Sequence, residues 1–290
     1  MSPYAASHAN PKGAGDARPT ALQTIHEKNF NGQLTEEVIV ITGTTSRIGI
    51  ETARALSVTG ATFILTPRHL KNAEAALTGI LEPGRVPLMQ MDNASVASVR
   101  AAAPTILANA GGSVNILMHF AVNHLSHFLH FLLLKPTLLA SSTPDFNSRL
   151  VMVASSAHRA CTLPESDNYS FQKGGYHYGL KFANSKLANV YMANEIHGHY
   201  GNQGMHATSL HPGAINTGDG KIIKVLKSTE QDVTATVLIT VGGEWEGKGG
   251  RYLEDCEEAE RVVDDGEVFG VGWARLWKDS FNIVRVEEDG

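Results

Sequence analysis

Short apolar, β-branched runs alternate along the chain with stretches in which apolar residues recur at helical spacing. The run "VIVIT" (38–42) is typical of a buried strand, and the stretch 47–60 after it has helical periodicity and ends at Gly60. Strands that alternate with helices in this way indicate a parallel sheet with helices on both faces. We therefore predict a doubly wound α/β fold of the Rossmann type in a single domain. Further strands are predicted at 61–66, 87–91, 113–118, 148–156 and 205–213.

The two ends of the chain differ in composition from the middle. Residues 1–33 are rich in Ala, Pro, Gly, Asn and Ser and lack an apolar stretch, which predicts a disordered N-terminal arm rather than a secretory signal. The acidic run "LEDCEEAERVVDDGE" begins at Leu253 and is typical of a solvated surface. We therefore expect a domain at 34–255, followed by an acidic C-terminal extension at 256–290.

Composition narrows the function classes. The net charge of −5 offers no basic surface for nucleic acid. Cys161 and Cys256 are the only cysteines, too few for a disulfide framework or a four-cysteine zinc site, and they favour a reducing, cytoplasmic compartment. The most apolar segment (128–139) is too short to span a membrane and predicts a buried helix. Histidines at 124, 127 and 130 have no cysteine or carboxylate beside them, so we interpret them as packed side chains and expect no metal.

A glycine-containing turn joins the first predicted strand to the first predicted helix in "VIVITGTTSRIGIETA". In this setting, amides at the helix N-terminus can hold a pyrophosphate. The turn resembles the T-G-x-x-x-G-x-G motif of the short-chain dehydrogenase/reductase family. Arg47 occupies the position of that motif's middle glycine. That side chain either weakens cofactor binding or pairs with a phosphate. The resemblance implies that the cofactor is held by Thr42, Gly43, Ser46, Ile48 and Gly49.

The sequence after the second predicted strand indicates which nicotinamide cofactor is used. Folds that bind NAD usually carry an acidic residue there for the ribose 2′-hydroxyl, and none occurs between Gly60 and Lys71. Arg68 and Lys71 supply positive charge instead, which favours NADP over NAD. The alternative is that Arg68 is an ordinary solvent-exposed side chain without a role in cofactor binding. Asp92, in "MDN", matches the adenine-contacting aspartate of the family.

Four further motifs extend the resemblance to about residues 36–255. "FAVNHLSHF" (120–128) and "RLVMVASSAHR" (149–159) resemble the family's active-site asparagine helix and serine strand, while "NSKLANVYMANEI" (184–196) carries the lysine. "HPGAINT" (211–217) resembles the loop over the nicotinamide. The resemblance is to fungal members near retinol dehydrogenase and WW-domain-containing oxidoreductases. It implies that Asn123, Ser155 and Lys186 are catalytic, and that Asn123, Lys186 and Thr217 contact the cofactor.

Two departures from the family put catalysis in question. In the family, a tyrosine four residues before the lysine donates the proton, and the lysine lowers its pKa. Phe182 occupies that position here. Tyr178, eight residues before Lys186, could replace the missing tyrosine only if the backbone there differed from that of the family. The family's Asn-Asn-Ala-Gly strand end and the loop after it are also absent, since "VNILM" runs straight into "HFAVNHL". Either divergence from the family or an error in the gene model accounts for the shortened segment.

Three functions remain open at this point. The first is an NADP(H)-dependent enzyme that interconverts a carbonyl and an alcohol on a small apolar metabolite, including those of fungal secondary metabolism. The second is a cofactor-binding protein without redox turnover, and the third is a non-redox enzyme that uses Lys186 or His158 as acid or base. The resemblance also implies a homodimer that packs through 120–140 and 178–199.

Overall fold

The computed structural model describes residues 4–45, 47–120, 124–213, 226–260 and 267–287, and within them it shows a seven-stranded sheet. The strands are β1 (Val38–Thr42), β2 (Thr62–Thr66), β3 (Ile116–His119), β4 (Ser148–Val153), β5 (Met205–His211), β6 (Arg251–Glu254) and β7 (Glu257–Glu258). Their order is β2-β1-β3-β4-β5-β6-β7. Neighbouring strands are parallel except for β7, which is antiparallel to β6. The predicted doubly wound, single-domain α/β fold is confirmed.

Helices cover both faces of the sheet, which explains why β1 is apolar at each of its first four positions, 38–41. Val40 packs into a core with helices α5, α6, α7 and α10, whereas Ile39 and Ile41 pack on the opposite face with α2, α3, α4 and α9. Strands buried on both faces read as continuous apolar runs. The helices are α1 (Ala5–His8), α2 (Ala21–Glu27), α3 (Arg47–Leu56), α4 (Leu70–Ala76), α5 (Val96–Asn109), α6 (His124–Ala140), α7 (Tyr178–Tyr200), α8 (Thr229–Asp232), α9 (Thr234–Val241) and α10 (Glu267–Val284).

The segment 87–91, predicted as a strand, forms only an isolated bridge between Leu88 and Leu65. The segment does run beside β2, because Leu65 N donates to Pro87 O and Met89 N donates to Leu65 O. Pro87 has no N–H group, so the pairing cannot continue through it as a regular ladder. The strand prediction is therefore wrong, although the segment lies at the sheet edge where the predicted strand would lie. The short strands β6 and β7 were not predicted.

The prediction of a disordered N-terminal arm is wrong for the described residues 4–33. Helix α2 begins with a capping box formed by Thr20 and Gln23, and its Ile25 is fully buried in the core. Farther toward the N-terminus, Gln231 Nε2 donates to the carbonyls of Asp16 and Arg18. A few buried apolar groups and long-range hydrogen bonds thus order a segment whose composition alone is typical of disorder.

The C-terminal segment is also more than an acidic extension, because α10 packs on α6 and α7. The rings of Trp277 and Phe281 meet that of Phe128 edge-on, with centroids 5.1 and 5.0 Å apart, and all three side chains are buried. The helical spacing of Trp273, Trp277 and Phe281 was the signal in the sequence for this packing. The expected extension at 256–290 is therefore corrected to a helix that completes the core.

Helix α6 is the buried helix that the apolar segment 128–139 predicted. Its face toward α10 is covered within the same chain, which accounts for its apolar composition without a second subunit. The homodimer stays a prediction, and light scattering at micromolar concentration checks it. No helix in the described part of the chain is both long and apolar enough to cross a membrane.

Candidate active site

The glycine turn between β1 and α3 has the geometry that the motif predicts. Gly43 has a φ of +72°, in the left-handed region that favours glycine. A Cβ on Gly49 would lie 2.5 Å from the carbonyl oxygen of Gly43, so only glycine lets α3 approach the turn this closely. Ile48 packs against the core on that face of the sheet. The turn therefore presents the N-terminus of a ten-residue helix at the carboxyl end of β1.

Thr42 and Thr44, on either side of Gly43, differ in their surroundings. Thr42 is fully buried, where its Oγ1 donates to Met118 O at 3.3 Å and accepts from Phe120 N at 3.2 Å. It therefore ties the end of β1 to the end of β3 in addition to any cofactor contact. Thr44 Oγ1 is buried and has no hydrogen-bond partner among the described residues. Sequence reasoning did not single out Thr44.

The residues of this turn fit a nicotinamide dinucleotide, which the family motif implies. A glycine-lined approach, a helix N-terminus and the unsatisfied Thr44 hydroxyl are features that suit a pyrophosphate. Arg47 is exposed at the first position of α3, so its side chain does not fill the turn from inside.

The predicted residues for the adenosine half lie at the adjoining edge of the sheet. Arg68 and Lys71 are exposed just after β2. Asp92 Oδ1 accepts from Ala94 N at 2.9 Å, and Asp92 N donates to Ser98 Oγ at 2.9 Å. Asp92 thus shapes the turn that leads into α5, a local role that the motif did not predict.

Ser155 lies two residues beyond the end of β4, in extended backbone that caps a short 3₁₀-helix at Ser156–Ala160. Its Oγ accepts from Ala157 N at 3.3 Å, which leaves the hydroxyl hydrogen available to a substrate oxygen. His158 Nδ1 donates to Ser155 O at 2.7 Å while its ring packs on Tyr252, with centroids 4.6 Å apart. Because burial lowers the pKa of His158, its ring is neutral and acts to hold the Ser155 backbone.

Lys186 reaches the same end of β4 from the middle of α7. Its side chain is buried, and its Nζ donates to Val153 O at 3.0 Å. Asn189 Nδ2, one turn later, donates to the same carbonyl at 3.2 Å. Burial lowers the pKa of Lys186 to about 8. The structure therefore brings Lys186 close to the strand end that carries Ser155, as the motifs predicted, and adds Asn189 as a residue that sequence reasoning missed.

Phe182 lies one helical turn before Lys186, and the Lys186 Nζ is 5.8 Å from the centre of its ring. A tyrosine at this position would extend its hydroxyl from that same ring. Tyr178 does not replace the missing acid, because it is the first residue of α7 and is 78% exposed. The described part of the site therefore lacks the phenol that the family places beside its lysine.

A buried histidine cluster follows β3, where the family's Asn-Asn-Ala-Gly segment would begin. The His119 ring stacks on His127 at 4.2 Å, and His119 Nε2 lies 3.3 Å from His130 Nδ1. All three rings are fully buried, and burial lowers the pKa of each, so they are neutral core side chains. Within the described ranges, no group of three His, Cys, Asp or Glu residues could hold a metal ion.

Three predicted site residues, Ser46, Asn123 and Thr217, lie outside the described residues. Their roles remain those that the motifs imply.

A buried carboxyl, that of Asp232, lies close to Gly213, two residues after the end of β5. A Cβ on Gly213 would lie 2.6 Å from Asp232 Oδ1, and Lys227 Nζ donates to Pro212 O at 3.0 Å. Lys227 also pairs with Asp255 at 2.8 Å. Neither carboxyl oxygen of Asp232 has a hydrogen-bond partner among the described residues, and burial raises its pKa to about 7. No motif pointed to Asp232, because its burial comes from contacts that are distant in sequence.

Replacing Asp232 with asparagine is expected to change how stability depends on pH. The pKa is raised from 3.8 to about 7 on folding, so the folded state holds this proton more tightly. The stability that the protonated carboxyl contributes is complete below pH 3.8 and is lost as pH rises through 7. Asp232→Asn should therefore be more stable than the wild type above pH 7, by about 1 kcal/mol or more. The difference in unfolding free energy between the variant and the wild type should narrow as the pH falls from 7 toward 4, because the carboxyl of the folded wild type becomes protonated.

Urea unfolding at several pH values measures this difference. Asp145→Asn, at an exposed carboxyl, is the matched control and should follow the wild type throughout. Parallel pH profiles for Asp232→Asn and the wild type would contradict the expectation.

Comparisons with known proteins agree with this arrangement. Residues 37–137 match the family model for short chain dehydrogenases. The chain is 36% identical to the short-chain dehydrogenase/reductase prx1 of Penicillium roqueforti, over 98% of this chain and 96% of that protein. It is 28% identical to the human WW domain-containing oxidoreductase, over 83% of this chain and 66% of that protein. The NADPH-bound carbonyl reductase from chicken fatty liver has a TM-score of 0.60 at 19% identity, covering 76% of this chain and 96% of that one.

The fold and the glycine turn define a Rossmann-type, dinucleotide-binding class of protein, and the relatives define the family within it. The chain belongs to the short-chain dehydrogenase/reductase family of oxidoreductases. The predicted similarity to fungal members and to WW-domain-containing oxidoreductases is confirmed. The alignment with prx1 spans 328 positions, whereas this chain has 290 residues, so the relative carries residues that this chain lacks.

Proposed function

We propose that the protein is an NADP(H)-dependent reductase or dehydrogenase that interconverts a carbonyl and an alcohol on a small apolar metabolite. The observation that carries this proposal is the meeting of Ser155 and Lys186 at the carboxyl end of β4. The glycine turn lies at the same edge of the sheet, at the end of β1, with only β3 between the two strands. Ligands of open α/β sheets bind outside the carboxyl ends of the strands, so a dinucleotide there would extend toward both residues.

Each residue of this site has a role that follows from its contacts. When bound, the nicotinamide cofactor supplies or accepts the hydride. The Ser155 hydroxyl orients and polarises the carbonyl oxygen, because its own oxygen is already fixed by Ala157 N. The Lys186 ammonium places a positive charge near the oxygen on which negative charge develops, and the Val153 carbonyl holds that ammonium in position.

The proton for the alkoxide must come from a group other than Phe182. The Ser155 hydroxyl or a water molecule delivers it in this proposal, and Lys186, with its pKa lowered to about 8, eases that transfer. A positioned general acid typically contributes about 10²–10⁴-fold to the rate. We therefore expect the wild-type enzyme to be slow rather than inactive.

NADP is the proposed cofactor. The absence of an acidic residue after β2 and the exposed Arg68 and Lys71 support it. The chicken carbonyl reductase that shares this fold is a complex with NADPH, which is consistent with the proposal.

Replacing Arg68 with alanine is expected to weaken NADPH binding by roughly fivefold, the effect of one exposed ion pair with the 2′-phosphate. NADH lacks that phosphate, so its affinity should stay within about twofold. Fluorescence titration of each cofactor measures both constants. Lys278→Ala, which removes an exposed charge from α10, is the matched control. Equal losses for NADPH and NADH would remove the basis for the cofactor assignment.

The substrate class and setting are also part of the proposal. A small apolar carbonyl compound, including one from fungal secondary metabolism, is consistent with the relationship to the Penicillium protein. The two unpaired cysteines, Cys161 and Cys256, favour a reducing, cytoplasmic location.

A cofactor-consumption assay tests the proposed function. Pure protein is mixed with NADPH and a panel of quinones, aldehydes and ketones, and the loss of NADPH absorbance is followed with product analysis. Substrate-dependent loss with an equal yield of alcohol supports the proposal. Tight NADPH binding without turnover would instead indicate a cofactor-binding protein, and substrate conversion without NADPH loss would indicate non-redox chemistry.

A further inference from the structure

A cavity of about 350 Å³ lies between α6, α7, α10 and the loop that precedes α7. Volumes of this order are typical of small-molecule sites. Its described lining includes none of Ser155, Phe182 and Lys186. The apolar part of the wall includes Leu125, Leu163, Phe171, Ala188 and Leu276.

Helix α7 separates this cavity from the candidate active site. Asn184 and Ala188 line the cavity and flank Lys186 by two residues on either side. Two residues correspond to about 160° around a helix, so both point away from the side on which Lys186 meets Val153. The cavity and the active site thus share a helix but lie on opposite sides of it.

His124 and Asn184, two polar side chains that line the cavity, each carry a hydrogen-bond acceptor atom to which no described group donates. Ser280 Oγ donates to Leu276 O at 2.7 Å, so it accepts from His124 Nε2 at 2.9 Å. His124 therefore carries its hydrogen on Nε2, and its buried Nδ1 has no partner among the described residues. Asn184 is only 9% exposed, and its Oδ1 likewise has no partner in the described part of the chain.

Buried acceptors of this kind are normally satisfied by a protein group, a water or a ligand. In a mostly apolar cavity, one or two convergent polar groups are what fixes the orientation of a small ligand. We propose that the cavity binds a small apolar molecule with a hydroxyl group, such as an alkylphenol, whose hydroxyl donates to Asn184 Oδ1. His124, which also lines the cavity, carries a second buried acceptor without a partner among the described residues.

A pair of ligands that differ only in the donor tests this site on the wild-type chain. Para-butylphenol and para-butylanisole have similar shapes, but the ether has no hydrogen to donate. Calorimetric titration should show that the phenol binds about tenfold more tightly, the worth of one hydrogen bond. Saturating NADPH should leave both affinities unchanged. Equal affinities, no saturable binding of either ligand, or displacement by NADPH would each overturn the proposal.

Two variants locate the binding within the cavity. Asn184→Leu keeps the branching at Cγ and removes the acceptor, so the phenol should lose its advantage over the ether. Ala188→Phe fills the space, so both ligands should lose binding. Asn109→Leu, at an exposed position of α5 outside the cavity, is the control and should bind both ligands as the wild type does. Thermal unfolding confirms that each variant folds, and full retention of the phenol preference in Asn184→Leu would contradict the assignment.

Discussion

Phe182→Tyr is expected to raise the rate of carbonyl reduction at least tenfold, a cautious fraction of the general-acid effect. The new hydroxyl would extend from a ring whose centre is 5.8 Å from the Lys186 Nζ. The buried ammonium should lower the pKa of the phenol and so make it a better acid near neutral pH. Because Phe182 is only half-buried, the added hydroxyl should cost little in packing. Initial rates of NADPH consumption with a saturating carbonyl substrate measure the gain.

A matched variant separates this effect from the mere addition of a hydroxyl. Phe146 also lies beside a cation, with the Arg149 guanidinium 4.7 Å from its ring centre, but it precedes β4 at the opposite end of the sheet. Phe146→Tyr should therefore leave the rate unchanged. Adding Lys186→Met to Phe182→Tyr should abolish the gain. A Phe182→Tyr protein that folds and binds NADPH normally without any gain would show that the shortened segment, not the missing hydroxyl, limits the site.

Gly49→Ala is expected to reduce NADPH affinity at least tenfold and to destabilise the fold by about 1–3 kcal/mol. The added Cβ would lie 2.5 Å from the carbonyl oxygen of Gly43 and 3.0 Å from its carbonyl carbon. Both atoms belong to the backbone of the turn, so no side chain can move aside, and α3 must shift away from the cofactor turn. Calorimetric titration with NADPH and chemical unfolding measure the two effects.

Gly198→Ala makes the same chemical change at a position where a stabilising effect is expected. Gly198 lies within α7, and a Cβ there would meet nothing within 4 Å. Alanine is the better helix former, so this variant should gain about 0.5–1 kcal/mol in stability and bind NADPH normally. Equal behaviour of the two alanine variants would mean that the turn does not depend on a close helix approach.

The parts of the fold that could be predicted from sequence are those with a strong local pattern. Strand β1 begins with the apolar run 38–41 and β4 ends with the apolar run 150–153, and the turn at Gly43 and Gly49 joins a strand to a helix. The motifs also placed Ser155 after a strand and Lys186 within a helix, and the structure has them at those positions because both elements have a strong local pattern. Their catalytic roles stay predictions.

The parts that could not be predicted depend on contacts between distant residues. The N-terminal arm is ordered by hydrogen bonds such as that from Thr234 Oγ1 to Pro19 O, which composition cannot reveal. The segment at Pro87 has a strand-like composition but lacks the donor that a ladder requires. Asp232 is an ordinary acidic residue in the sequence, and its burial in the folded chain is what raises the pKa of its carboxyl.

In the proposed reaction, the chain transfers a hydride between NADPH and a carbonyl carbon. NADPH that carries deuterium at its transferable position tests this most directly, with product analysis by mass spectrometry. We expect one deuterium on the former carbonyl carbon of each alcohol molecule, with alcohol formed slowly by the wild type and faster by Phe182→Tyr. Alcohol without the label, or no alcohol from either protein when NADPH is tightly bound, would contradict it.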